Sequence, residues 1–492
     1  MKRVFTILLL AVSITFLFNG CTPEEKKPSY IFFFIGDGFG LAQLQLTESY
    51  LGAYNTPYPE TKLHLTGLPE KGFITTYSSS HKITDSAAAG TALATGKKTS
   101  NGRICKNEDA TLSYKSVAYA AKEQGMKVGI ITTVSLDHAT PAVYYANVDT
   151  RNMYYEISMQ LPTSGFDYFG GGGFRNPEGL ITNSTYSENY SQQNKGGEEV
   201  EGKKNMLEFA RENGYTLVSE KEEILALPSE SNKVIAMNPI LQSGAAMPYA
   251  IDQTDESLTL ADFVQKGIEI LDNKNGFFMM VEGGKIDWAC HANDGATVIK
   301  EVIDFDNAIS KAMSFYLEHP DETLIIVSGD HETGGLSLGN TFTGKEADYS
   351  LFKYQKASLE VFEKQILSLE APGYDSVMTL VANNYGLGKE IPLTAYDINR
   401  FKIAYNQSFG AKPDTTFPER TYTTYGGYEP ITMTATHILS EKAGVAWTTY
   451  SHSACPLPVH SIGAGDKNFG GFYDNTDIPK KIMQLIDYPF PN

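Results

Sequence analysis

Four short stretches of the chain are almost wholly apolar, and each gives way to polar groups within a few residues. Residues 30–35 (Tyr-Ile-Phe-Phe-Phe-Ile) run into Gly36-Asp37-Gly38, and residues 127–132 precede Asp137-His138. Residues 277–281 end at Glu282, and residues 323–327 end at Ser328-Gly329-Asp330-His331. Unbroken apolar runs of this length, without polar alternation, signal strands buried on both faces, as in parallel sheets. Residues 115–124 and 299–318 have a helical pattern. Strands alternating with helices predict an α/β fold, a mostly parallel central sheet with helices on both faces, whose ligands sit at the C-terminal strand ends. The pattern breaks over residues 336–450, which are rich in Tyr, Thr and Gly with helical pieces such as 357–369, and it returns near His452. That stretch is expected to be an insertion or cap on one catalytic domain spanning 30–492. Residues 183–202, polar and rich in Gly, Ser and Glu, are expected to form a surface loop.

The N-terminus follows a different rule. Lys2 and Arg3 precede an apolar run over residues 4–18, too short to span a bilayer comfortably, and Asn19-Gly20-Cys21 closes it. This resembles a bacterial lipoprotein signal, which implies cleavage after residue 20, acylation of Cys21 and a polar tether over 21–29. The alternative is an ordinary cleaved signal with an incidental cysteine. Either way the protein is expected to be exported, periplasmic or membrane-anchored, touching the membrane only through a lipid. The 492 residues, 41% hydrophobic and 20% charged, are ordinary globular composition and exclude a disordered, collagen-like or coiled-coil chain. A net charge of −18 argues against nucleic acid or anionic headgroups as main partners. Cys105, Cys290 and Cys455 allow at most one disulfide.

Chemistry-bearing residues collect at the strand ends. They are Asp37; His138 and Thr140 in Asp-His-Ala-Thr-Pro-Ala; Glu282, Asp287 and His291 in Val-Glu-Gly-Gly-Lys-Ile-Asp-Trp-Ala-Cys-His; Asp330-His331; and His452. Mixed carboxylate and imidazole donors suit zinc, whereas carboxylate, hydroxyl and water suit magnesium. Asp287 and His291, four apart, share a face if they lie on a helix. In Thr84-Asp85-Ser86-Ala-Ala-Ala-Gly, the Ala-rich run favours a helix that starts at Ser86. Either Asp85 or Ser86 simply caps that helix, or Ser86 is a nucleophilic hydroxyl held at its positive end. No G-x-S-x-G elbow surrounds Ser86, so an acyl-transfer triad has no support.

These motifs, Gly-Asp37-Gly, Thr-Asp-Ser86-Ala-Ala, Ala-Thr140-Pro-Ala, Val-Glu282-Gly, Asp287-x3-His291 and Asp330-His331, resemble in content and order those of the alkaline phosphatases. The resemblance implies that family's fold and the hydrolysis of phosphate monoesters through a phosphorylated Ser86. It implies a first zinc on Asp287, His291 and His452, and a second on Asp37, Asp330, His331 and Ser86. A magnesium ion would sit at Asp37, Thr140 and Glu282, near His138. Arg151 would grip phosphate, with Asp85 orienting it, and a homodimer is the usual assembly. His138 stands where some members carry Asp. Trp288 stands near the phosphate where some carry Lys, either touching substrate or merely packed. His452 is preferred to His460 by the position of Pro458-Val459. Two rivals remain: a phosphodiesterase or sulfatase on the same scaffold, and a surface binding lipoprotein with a decayed site.

Overall fold

A computed structural model describes residues 26–53, 62–179, 203–410 and 418–490. The expected signal segment, Cys21 and the 183–202 loop lie outside the described residues. The first eight strands are β1 (Tyr30–Gly36), β2 (Glu70–Thr75), β3 (Lys127–Thr132), β4 (Tyr168–Gly171), β5 (Thr216–Val218), β6 (Val234–Met237), β7 (Phe277–Gly283) and β8 (Thr323–Gly329). They are followed by β9 (Glu332–Thr333), β10 (Ser337–Leu338), β11 (Val445–Ala446), β12 (His452–Ser453), β13 (Leu457–Gly463) and β14 (Gly471–Asp474). Ten of these form one sheet in the order β14-β2-β13-β8-β1-β7-β3-β4-β6-β5. Only β13 runs antiparallel to its neighbours, β2 and β8.

The unbroken apolar runs are strands buried on both sides, as their composition requires. In β1, Ile31, Phe33 and Ile35 enter one apolar core, while Tyr30, Phe32 and Phe34 enter another on the opposite face. Met280 and Met279 of β7 divide in the same way, as do Ile326 and Ile325 of β8. Helices Ser86–Thr95, Val117–Glu123 and Asp477–Leu485 cover the first face. Leu260–Leu271 and Gly295–Glu318 cover the second. The former of these two is started by a capping box between Thr259 and Asp262.

Residues 336–450 are mainly helical, with helices Leu359–Leu367, Tyr374–Tyr385, Ala395–Phe409, Pro418–Tyr425 and Pro430–Ala443. Phe362, Val381, Phe401 and Ile438 build a third apolar core, which also takes in Leu46 and Tyr50 from helix Leu41–Ala53 and Ile299 from helix Gly295–Glu318. The segment therefore shares its core with the sheet-bearing part. It leaves and rejoins the rest through the β10–β11 pair. Among the described residues no helix is long and apolar enough to cross a membrane.

Candidate active site and metal centre

The register of the central strands assembles the site. Gly36 lies opposite both Gly283 and Gly329, so β1, β7 and β8 end at one level. Asp37 and Asp330 follow those glycines directly, and Glu282 precedes one. Thr132 of β3 sits beside Glu282 and donates its hydroxyl to Glu282 Oε2 at 2.5 Å. The turn after β1 needs glycine at position 38, where φ is +72° and a Cβ would stand 2.7 Å from the Asp287 Cα. That close approach sets helix Lys285–His291 against the strand ends, with Asp287 and His291 on one face, Oδ2 to Nε2 3.3 Å. The two-residue strand β12 pairs with β9, placing His452 opposite Thr333.

Three imidazoles turn the same way. His291 Nδ1 lies 2.6 Å from the Tyr450 carbonyl oxygen, and His452 Nδ1 lies 2.8 Å from that of Thr84. A carbonyl only accepts, so both Nδ1 atoms carry the hydrogen, and in the neutral form of each ring Nε2 holds the free lone pair. Those two Nε2 atoms face each other at 3.2 Å, with Asp287 beside them. His331 Nε2 lies 3.3 Å from Asp37 Oδ1, 3.4 Å from Asp330 Oδ2 and 3.2 Å from Ser86 Oγ. Thr140 donates to Asp37 Oδ2 at 3.4 Å. Among the described residues, donor atoms thus gather into three groups, Asp287-His291-His452, Asp37-Asp287-His331 and Asp37-His138-Glu282, each within 4.8 Å.

Lone pairs and carboxylate oxygens converging in a dry site repel one another unless a cation lies among them. Burial pushes the Asp37 and Asp330 carboxyls well above the usual range, and neighbouring carboxylates add to it. Burial likewise raises Glu282 to about 7. The imidazoles move the other way: burial, then His452, holds His331 well below its ordinary value, and burial, then Arg151, does so for His138. Buried atoms that accept no hydrogen bond include Asp37 Oδ1, Glu282 Oε1 and Asp330 Oδ2. A donor set of this kind fits divalent cations.

Ser86 begins helix Ser86–Thr95, and the capping work falls to its neighbour. Asp85 Oδ1 accepts from the Ala88 amide at 3.0 Å, while its Oδ2 accepts from the Gly102 amide and from Arg151 Nη1. The Ser86 hydroxyl, buried and not needed for the cap, is turned toward His331. Arg151 Nη2 reaches His138 Nε2 at 3.1 Å, so the expected phosphate grip and the expected third-site imidazole touch. Trp288 is 2% exposed and stands edge-on to His138, ring centroids 6.0 Å apart, so it reaches the group through that ring. His460 lies on β13 with Nδ1 2.6 Å from Lys71 Nζ, outside all three donor groups.

Two hydroxyls were not singled out from the sequence. Thr132 is one. Thr333 is the other, and a signal for it exists: it stands two residues after His331, and alternate residues of extended chain face the same side.

Comparison with known proteins points to one family. Residues 29–488 match the family described as alkaline phosphatase. The chain is 28% identical to alkaline phosphatase 3 of Bacillus subtilis over 516 residues, covering 99% of this chain and 97% of that protein. It is 29% identical to alkaline phosphatase 4 of the same organism over 462 residues, covering 92% and 87%. The crystal structure of a cold-active alkaline phosphatase from Shewanella sp. superposes with a TM-score of 0.74 at 26% identity, covering 94% of this chain and all of that one.

Proposed function

This chain belongs to the alkaline phosphatase family, and on that premise we propose that it hydrolyses phosphate monoesters through a phosphoserine formed on Ser86. The family is metal-dependent, and the residues here fit three ions. Asp287, His291 and His452 would hold one zinc, and Asp37, Asp330, His331 and Ser86 a second. Asp37, Thr140 and Glu282, with His138 beside them, would hold magnesium. When bound, such ions supply Lewis acidity, lowering the pKa of coordinated hydroxyls and offsetting phosphoryl charge.

The chain's own groups do the rest. Ser86 Oγ attacks phosphorus, forming an O–P bond as the bond to the departing alcohol oxygen breaks; water then attacks the phosphoserine and Ser86 leaves. Ser86 stands at the N-terminal, positive end of helix Ser86–Thr95, which favours the charge gathering on its oxygen. Arg151 is steered by Asp85, and a planar guanidinium matches two phosphoryl oxygens. Because phosphoryl transfer has a loose transition state, positioning and charge carry most of the catalysis. Little in this set recognises the alcohol, so esters of varied alcohols should react.

The observation that carries the reading is the Ser86 hydroxyl at 3.2 Å from His331 Nε2, itself facing two buried carboxylates. Comparing turnover of an aryl phosphate, a phosphodiester and an aryl sulfate tests it. Preference for the diester or the sulfate would assign the scaffold to a rival reaction, and no turnover of any would favour a decayed site. We also propose that residues 336–450 act as a cap over the sheet-bearing part. The N-terminal pattern supports export with a lipid on Cys21, and the family's habit supports a homodimer.

A further inference from the structure

We infer that Thr333, a member of none of the three donor groups, is a positioning residue that ties two of them together through one hydroxyl. The inference rests on the reading of the site as a metal centre. Thr333 Oγ1 lies 2.5 Å from Asp287 Oδ1 and 3.2 Å from His331 Nδ1. A hydroxyl has a single proton. The short contact to a carboxylate takes it, which leaves an oxygen lone pair facing His331 Nδ1. The His331 ring must then carry its hydrogen on Nδ1 and present Nε2 to Asp37, Asp330 and Ser86.

His291 and His452 obtain the same orientation from backbone carbonyls, which no substitution removes. His331 alone among the three depends on a side chain for it. The same hydroxyl fixes the rotation of Asp287, the one carboxylate shared by the His291–His452 group and the His331 group. One side chain therefore sets the tautomer of a ligand in one group and the orientation of a ligand common to both.

The backbone of Thr333 is held without the hydroxyl. Its amide donates to the Gly38 carbonyl at 3.2 Å, and its own carbonyl accepts from Gln43 Nε2 at 3.0 Å. Gln43 Nε2 also donates to Glu332 Oε1 at 2.9 Å, and Ser453 donates to the other Glu332 oxygen, tying β9 to β12. Thr333→Val keeps the β-branch and this anchoring and removes only the hydroxyl chemistry.

The test is metal retention by the full chain, exported and folded. Wild type, Thr333→Val, Thr333→Ala and Thr333→Ser are stripped, reloaded with zinc and magnesium, and titrated with a competing chelator. Zinc affinity should fall about 10–100-fold in the Val and Ala variants, as for other loss of support behind a metal ligand. Serine should restore it. Magnesium retention, which depends on Asp37, Thr140 and Glu282, should not change. Visible absorption of cobalt-substituted protein should differ from wild type in Val and Ala and match it in Ser. Unchanged zinc affinity and cobalt spectrum in Val or Ala would overturn the inference, as would a Ser variant behaving like Val. Should wild type itself bind no zinc, the metal-centre reading falls, and this inference with it. If Val does not fold, the Ala–Ser pair decides alone.

Discussion

The histidines expected at the two zinc positions stand among similar residues, but their surroundings are built differently. Asp37, Asp330 and His331 stand at the ends of adjacent parallel strands in shared register, with side chains fully buried. His291 and His452 stand on a short helix and a two-residue strand, with side chains 22% and 11% exposed. One group gains rigidity from the sheet and suffers the full cost of desolvated carboxylates. The other is the more exposed rim. Under the proposed mechanism the buried residues would hold and activate Ser86, and the rim residues would receive what leaves and what enters.

Ser86→Ala should have the largest effect, because its hydroxyl is the atom the buried group is turned toward. Turnover should drop by about three orders of magnitude or more, with no acid-stable phosphoenzyme, since a sole nucleophile has no substitute. Zinc content should stay near wild type, Ser86 being one donor among several. Radiolabelled phosphate trapped on the alanine protein would show that another residue is the nucleophile.

A chelator should separate the groups. Zinc should leave in two phases, first from the more exposed rim and later from the buried strand ends. Time-resolved zinc analysis of the filtrate checks this, and a single phase would show that the groups empty as one unit.

Cation loading should also release protons in a pH-dependent way, and the buried side should supply them. Burial raises Glu282 to about 7, so below that pH its carboxyl holds a proton that an incoming cation displaces. Burial holds His331 and His452 below their ordinary values, so these rings contribute less to that release. Proton release on loading should therefore be larger at pH 6 than at pH 9, measured by calorimetry in buffers of different ionisation enthalpy. Equal release at both would remove Glu282 from the set.

His138→Asp should have the smallest effect. His138 is neutral, its ring held well below its ordinary pKa by burial, then by Arg151. An aspartate there adds charge suited to magnesium and its waters. Magnesium retention after dialysis against zinc with limiting magnesium should rise severalfold. Equal occupancy in both proteins would leave His138 as a partner of Arg151 alone.

Much of this was legible before folding. The four apolar runs became β1, β3, β7 and β8, because a strand buried on both faces confines its polar residues to its ends. Residues 115–124 shortened to Val117–Glu123, since Ser116 takes the cap position. The helix expected over 299–318 begins earlier, at Gly295, behind the Asp294 cap. The strands not named, among them β2, β4 and β13, are short or carry Gly, Pro and charged residues, so their runs did not stand out.

What the sequence alone determined is the chemistry available at each strand end. An acid after an apolar run, a serine opening an Ala-rich helix and an Asp-x3-His turn are local patterns with local causes. Only the tertiary structure decided which of these groups face one another. His452 rather than His460 joins the site because β12 pairs with β9, while β13 carries His460 into the sheet beside Lys71. The tautomers of His291 and His452 depend on carbonyls of Tyr450 and Thr84, distant in sequence. Thr333 matters because its hydroxyl lies within hydrogen-bonding reach of both Asp287 and His331. Distances between residues far apart in the chain follow from strand register and packing, and no periodicity of a single segment encodes them.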